Sequence, residues 1–290
     1  MFYTIEELVQ QAENQCGGSV AELMIQTEIE MTSRSREEIL SLMTRNLSVM
    51  KSSIVDGLSE SKSLSGLTGG DAAKLDYYIK SGKTLSDTSV LSAARNAIAV
   101  NELNAKMGLV CATPTAGSAG CLPAVIGVAS EKLGLSEQEE LDFLFTAGAF
   151  GLVIANNASI SGAEGGCQAE VGSASAMSAA ALTMAAGGTA YQASQAICFV
   201  IKNMLGLICD PVAGLVEVPC VKRNAMGASF ALVAADMALA GIESKIPADE
   251  VIDAMYQVGA SLPTAFRETA EGGLATTPTG RKLAQRIFGG

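Results

Sequence analysis

Three cysteines stand in loops that interrupt otherwise apolar, small-residue segments. Cys167 lies in Ser159-Ile-Ser-Gly-Ala-Glu-Gly-Gly-Cys167-Gln-Ala-Glu170, Cys209 in Gly206-Leu-Ile-Cys209-Asp-Pro-Val-Ala-Gly214 and Cys220 in Glu217-Val-Pro-Cys220-Val-Lys-Arg-Asn224, 42 and 11 residues apart. Thiolates ligate iron-sulfur clusters and zinc. Each of the three has Gly or Pro close by, residues that break helices and let backbone and thiol approach a foreign body. Two readings stand side by side: a trio cradling a metal centre, or thiols that fill core space as small hydrophobes. Cys198, in Ala196-Ile-Cys-Phe-Val200, fits the second. None of the spacings is a compact CxxC pair, so spacing does not choose between them.

The chain has no histidine. That removes the commonest general base and a common transition-metal ligand, so Ser-His-Asp and Cys-His machinery cannot be built from this chain alone. Proton transfer must use Lys, Asp, Glu, Cys or Tyr, a metal-bound species, or a residue from another subunit.

The segments Ala112-Thr-Pro-Thr-Ala-Gly-Ser-Ala-Gly120, Ser161-Gly-Ala-Glu-Gly-Gly-Cys167 and Cys209-Asp-Pro-Val-Ala-Gly-Leu-Val-Glu-Val-Pro-Cys220 resemble those of the alpha subunit of iron-sulfur-dependent L-serine dehydratases, and the likeness runs the length of the chain. The resemblance implies a 4Fe-4S cluster held by Cys167, Cys209 and Cys220, with one iron left free of cysteine to act as a Lewis acid on L-serine. It puts Thr113, Thr115 and Gly117 at the active site as candidates for the substrate carboxylate. Ser161, Arg223 and Asn224 join them, since Lys222, Arg223 and Asn224 directly follow Cys220 and a guanidinium there could clamp a carboxylate; a solvated basic turn is the plain reading of the same residues. Lys222 and Glu164 are the candidate catalytic groups, with Glu164 read first as the helix-cap partner of Ser161. Cys111 and Cys121 rank behind as cluster ligands. The family also implies a beta subunit, hence a hetero-oligomer.

Other classes remain open at this stage: a related iron-sulfur lyase acting on L-cysteine, or a non-catalytic helical module with structural metal. A pyridoxal-phosphate route lacks a phosphate-binding Gly loop between strand and helix.

At 290 residues the chain can bury a large core, which must be filled by Ala, Val, Ile, Leu and Met because only 4% of residues are aromatic and none is Trp. A net charge of −11 argues against nucleic acid and anionic membrane surfaces as partners. The longest apolar runs, Phe143 to Ala155 and Ala228 to Ile242 with Asp236 inside it, are too short for a membrane span of roughly 20 residues. Met1-Phe-Tyr-Thr-Ile-Glu-Glu has no signal-peptide pattern, and seven cysteines read as thiols or metal ligands in a reducing compartment; the expectation is a cytoplasmic protein.

Helices must position these residues. Thr4-Ile-Glu-Glu7, Ser19-Val-Ala-Glu22, Ser35-Arg-Glu-Glu38 and Ser136-Glu-Gln-Glu139 match the capping box. The third opens a helix with Ile39, Met43, Leu47, Met50, Ile54 and Leu58 on a 3.6-residue period, a stripe that is either core or a subunit contact. Further helices are expected over Ser89–Met107, from Thr113 as N-cap with Pro114 at the first position, from the Ser136 capping box to about Asn157, and over Gln168–Ala186, Thr189–Leu205 and Asn224–Ala240. Another starts at Ile246-Pro-Ala-Asp-Glu250, and a short basic one ends the chain. Ser59–Asp71, rich in Ser and Gly, reads as a solvated connector or internal boundary. Alternating strand patterns are absent. The expected architecture is all-α, a single catalytic domain over 1–290 with the cluster in inter-helix loops.

Overall fold

The computed structural model describes residues 1–289. Thirteen α-helices are present among them and no β-strand; the one ladder-like contact is an isolated parallel bridge between Cys209 and Arg267. The first three are α1 (Ile5–Cys16), α2 (Val20–Thr32) and α3 (Arg36–Gly57), each started by the hydroxyl that its capping signature supplies: Thr4, Ser19 and Ser35. The α3 stripe is core, with Ile39, Leu47 and Met50 buried. Next come α4 (Asp71–Lys80), α5 (Thr88–Ala105), α6 (Cys121–Leu133) and α7 (Glu137–Asn157), the last opened by a reciprocal Ser136–Glu139 box. A single turn, α8 (Gly162–Gly165), precedes a π-helical turn over Gln168–Gly172, which runs into α9 (Ser173–Ala185). The remainder is α10 (Ala190–Met204), α11 (Cys220–Leu239), α12 (Ala248–Ser261) and α13 (Pro278–Phe288). No helix among the described residues is long and apolar enough to cross a membrane.

Helix α9 is the axis of the assembly, packed on α6, α7, α10 and α11. Ala174, Ala176, Ala179, Ala180 and Ala181 are completely buried, as are Ser175 and Ser178. Such small side chains bring neighbouring backbones close, which is how a core with few aromatics is filled to ordinary density. Where α11 meets this axis, a Cβ on Gly227 would lie 2.8 Å from Val171 and 3.0 Å from the Cys121 sulfur. Ser175 there turns its hydroxyl to the Gly227 carbonyl at 2.5 Å.

Two departures from the sequence reading matter for the site. The helix expected from Thr113 begins instead at Cys121, because Thr113–Gly120 forms a tight series of turns containing a cis Thr113–Pro114 bond. Ser59–Asp71 is solvated only in part, with Glu60–Lys62, Leu64 and Gly66 exposed. Ser63, Thr68, Gly69 and Gly70 are buried, and the fully buried carboxylate of Glu102 on α5 accepts the backbone N–H groups of Gly69, Gly70 and Asp71 at 3.1, 3.0 and 2.9 Å. A carboxylate at these amides satisfies the otherwise orphan donors of α4 and complements its dipole.

Candidate active site

Three separated segments carry the cysteines to one region. Cys167 leads into the π-helical turn, after Gly166, whose φ of +75° and lack of side chain are both required: a Cβ there would lie 2.7 Å from Leu262 and 2.9 Å from the Leu207 carbonyl. Gln168 then ties the Cys167 and Cys209 loops together. Its N–H donates to Leu207 O at 2.9 Å, its Oε1 accepts from Gly206 N at 2.9 Å, and its Nε2 donates to Met255 O on α12 at 2.8 Å. Cys209 is held between the chain and its own tail, donating its N–H to Phe266 O at 2.8 Å and accepting from Glu268 N at 2.9 Å. Cys220 is the first residue of α11.

All three thiols are buried, with 2%, 3% and 7% exposure for Cys167, Cys209 and Cys220. Burial raises all three: Cys167 to about 11, Cys220 to about 12 and Cys209 further. Cys209 and Cys220 each feel the charges of Cys167 and Glu170, so the three form one electrostatic unit. Ligation by metal must therefore strip three protons. Arg223 is the counterweight. Its charge and a hydrogen bond pull the Cys167 thiol down, its Nη1 donates to Ile208 O at 2.8 Å, and its Nη2 pairs with Asp210 Oδ1 at 2.9 Å, although no aligned hydrogen bond reaches that oxygen. No three Cys, Asp or Glu side chains among the described residues converge on a single metal ion.

The carboxylate at the centre of this region is Glu170, which the sequence reading passed over. It sits on the π-helical turn, 8% exposed. Thr115 Oγ1 donates to its Oε1 at 2.8 Å, while Oε2 accepts no hydrogen bond among the described residues. A Cβ on Gly162 would stand 2.7 Å from Glu170 Oε2 and 3.1 Å from Cys209 Sγ, and one on Gly117 3.1 Å from Oε1. The absence of side chains at 117 and 162 thus keeps the carboxylate and the thiol facing a shared space. Burial raises the Glu170 carboxyl, the Thr115 hydrogen bond opposes this, and Glu268 adds to the rise. The available sequence signal was the i+3 spacing of Glu170 from Cys167, on a stretch whose π geometry is frequent at functional sites.

The remaining candidates divide by where the fold puts them. Thr113 is buried and its Oγ1 lacks any partner. Asn224 is fully buried and spent on the protein: Nδ2 donates to Gly117 O at 2.8 Å and Cys220 O at 3.0 Å, and Oδ1 accepts from Gly120 N at 3.2 Å. It therefore pins the Thr113–Cys121 turns to the start of α11. Ser161 caps α8 through Ala163 N at 3.3 Å. Glu164 is exposed and accepts from Ser159 Oγ at 2.6 Å, so its cap partner is Ser159 and not Ser161; it lines a cavity of about 310 Å³ with Tyr256 and Arg267. Lys222 is half exposed and paired with Asp71 at the start of α4. Among the other thiols, Cys121 lies near enough to Cys167 to be raised by its charge and contacts Asn224 Oδ1 at 3.5 Å, whereas Cys111 meets Asn46 O and Cys198 meets Ile246 O.

The family model described as "Serine dehydratase alpha chain" matches residues 15–275. The chain is 59% identical to the Bacillus subtilis "Probable L-serine dehydratase, alpha chain", covering all of this chain and 96% of that protein. It is 42% identical to the Peptoniphilus asaccharolyticus "L-serine dehydratase, alpha chain", over 98% of this chain and 97% of that one. A match at 38% identity to Escherichia coli "L-serine dehydratase 2" covers 89% of this chain but 58% of the longer protein. With most of its length matched by the family model and full-length relatives well above 30% identity, the chain belongs to the serine dehydratase alpha chain family.

Proposed function

We propose that this chain is the cluster-bearing alpha subunit of an L-serine ammonia-lyase, converting L-serine to pyruvate and ammonia, with Cys167, Cys209 and Cys220 as ligands of a 4Fe-4S cluster. The observation that carries the reading is that three buried thiols from separated segments lie close enough to Glu170 to feel its charge, with Gly162 facing both Cys209 Sγ and Glu170 Oε2. The donor set fits the group. Thiolates are the natural ligands of iron-sulfur clusters, and Arg223 offsets part of their charge. Structural zinc, which needs four tight ligands around one ion, is supported less.

When bound through three thiolates, such a cluster supplies one iron free of protein thiolate, a Lewis acid for substrate oxygens. The chain's own residues supply position and proton transfer. Thr115 holds Glu170 Oε1, which leaves Oε2 to take the Cα proton; the Cα–H electron pair becomes the Cα=Cβ bond as the β-hydroxyl departs with a proton as water. The aminoacrylate so formed tautomerises to an imine, and water returns to release pyruvate and ammonia. Geometry favours Glu170 over Lys222 and Glu164, since Lys222 is committed to Asp71 and Glu164 opens outward beside Ser159. The unpartnered Thr113 hydroxyl and the backbone of Thr115–Gly117 receive the substrate carboxylate, and Asn224 keeps that loop in place.

The partner is a beta subunit. Relatives at 59% and 42% identity are named as alpha chains, which supports a second subunit and a hetero-oligomer. The seven free cysteines suit a reducing compartment, the cytoplasm.

Anaerobic purification tests the reading. Protein that is brown, holds about four irons per chain and, once a beta subunit is added, turns over L-serine in preference to L-cysteine is expected, with air bleaching colour and activity together. A colourless chain after anaerobic reconstitution with iron and sulfide would sink it.

A further inference from the structure

Helix α11 presents Cys220 on its first turn, yet no side chain caps that turn, whose N-cap position is occupied by Pro219. The constraint comes from elsewhere in the chain. Glu217, three residues before Cys220, is 6% exposed, and its main-chain carbonyl accepts from Val221 N at 3.1 Å, so this residue opens the hydrogen-bond ladder of the helix. Its carboxylate accepts from Ser63 Oγ at 2.6 Å on Oε2 and from Ser65 Oγ at 2.7 Å on Oε1. Both donors belong to the Ser59–Asp71 loop, far away in sequence.

That loop is itself rigidly held. Ser63 N donates to Thr68 O at 2.9 Å, Lys62 Nζ to Gly69 O at 2.6 Å, and Glu102 gathers the amides of Gly69 to Asp71. At its end Asp71 takes the Lys222 ammonium from the first turn of α11. The loop therefore grips α11 on both sides of Cys220, through Glu217 before it and Lys222 after it. A buried carboxylate is costly without donors, so Glu217 cannot leave the two serines without penalty, and its backbone cannot move without carrying the start of α11.

We propose that Glu217 is a positioning residue for Cys220, and that the Ser63/Ser65 hydroxyls clamp it so that the Ser59–Asp71 loop sets where this thiol stands in the cluster site. The proposal rests on the reading of Cys220 as a cluster ligand. It assigns the loop a role in loading and retaining the cluster.

The test measures each thiol by name in the full chain freed of metal, using iodoacetamide labelling resolved by peptide mass spectrometry in the wild type, Ser63→Ala/Ser65→Ala, Glu217→Ala and Glu217→Gln. Loss of the clamp should speed labelling of Cys220 about tenfold, the factor equivalent to about 1.4 kcal/mol of lost local stability, with Cys198 unchanged and thermal unfolding still cooperative. Glu217→Gln, which can still accept from one serine and donate to the other, should restore the slow rate. Reconstituted protein should then lose iron to a chelator faster in the two disrupting variants than in Glu217→Gln. Should Glu217→Ala fail to fold, Ser65→Ala, at the less buried of the two donors, gives the same readout. Unchanged Cys220 labelling in folded variants overturns the proposal, as does labelling that rises equally at Cys198. A wild type that takes up no iron defeats the cluster reading alone, since the labelling rates judge the clamp without it.

Discussion

A single methyl group at Gly162 should disable the site without replacing any ligand. The new Cβ would stand 2.7 Å from Glu170 Oε2 and 3.1 Å from Cys209 Sγ, the first about 0.8 Å inside the ~3.5 Å at which heavy atoms attract rather than repel. Both neighbours are buried, so the strain must be taken up by moving the carboxylate, the thiol or the α8 turn. Overpacking of this kind costs about 1–3 kcal/mol, or a few degrees in Tm at about 2–4 °C per kcal/mol for a domain of this size. Displacing a reacting group by about 1 Å costs about a hundredfold in rate. Gly162→Ala is thus expected to lower kcat/KM for L-serine about a hundredfold while the chain stays folded. Gly117→Ala, where the Cβ would lie 3.1 Å from Glu170 Oε1, should fall between it and the wild type. Gly148→Ala is the control: on α7 a Cβ meets nothing within 4 Å, and Ala in place of Gly inside a helix stabilises by up to about 1 kcal/mol. Steady-state pyruvate formation with thermal melts of the three variants decides the matter. Wild-type turnover in Gly162→Ala, or equal losses in all three, would refute the claim that Glu170 and Cys209 share the space above Gly162.

Replacing Cys167, Cys209 or Cys220 by Ser should abolish cluster assembly, whereas Cys16→Ser or Cys198→Ala should cost packing energy of about 1 kcal/mol and leave iron content unchanged; iron analysis after reconstitution reads this, and a full complement in any of the first three would mean the ligands are misassigned. Burial opposes ionisation of Asp71 most strongly, yet hydrogen bonds and charge from Lys222 and Lys74 outweigh it and hold the group at about 2 against an ordinary 3.8. A depressed carboxyl contributes stability above its ordinary value and loses it as pH falls from about 4 toward 2. Because Lys222 is half exposed, the contribution is no more than about 1 kcal/mol, so Asp71→Asn should lower the urea midpoint slightly at pH 7 and converge with the wild type near pH 2. The purified chain should bind a cluster but deaminate L-serine poorly until a beta subunit is added, and the pair should co-elute in size-exclusion chromatography; full turnover by the chain alone would place all catalytic groups, Glu170 first, within it.

Much of this architecture was legible locally. Serine and threonine followed three residues on by Glu marked the starts of α1, α2, α3 and α7, because a cap is satisfied within one turn and needs nothing from the rest of the chain. The same holds for the α3 stripe and for the three cysteines near Gly and Pro, whose neighbours mark breaks between helices. What the sequence could not determine by itself lies in pairings across the chain. Glu170 owes its place to Thr115, 55 residues away, and Ser63 is buried because Glu217, 154 residues away, needs its hydroxyl. Thr113-Pro114 has the composition of a helix start, yet the turn is pinned by Asn224 and the helix waits until Cys121. Lys222 and Glu164, neighbours of ligands in sequence, turn toward Asp71 and Ser159. Consecutive side chains on a helix or turn diverge, so proximity along the chain reveals that a residue is near a site, but only the packing of distant helices decides which way its functional group faces.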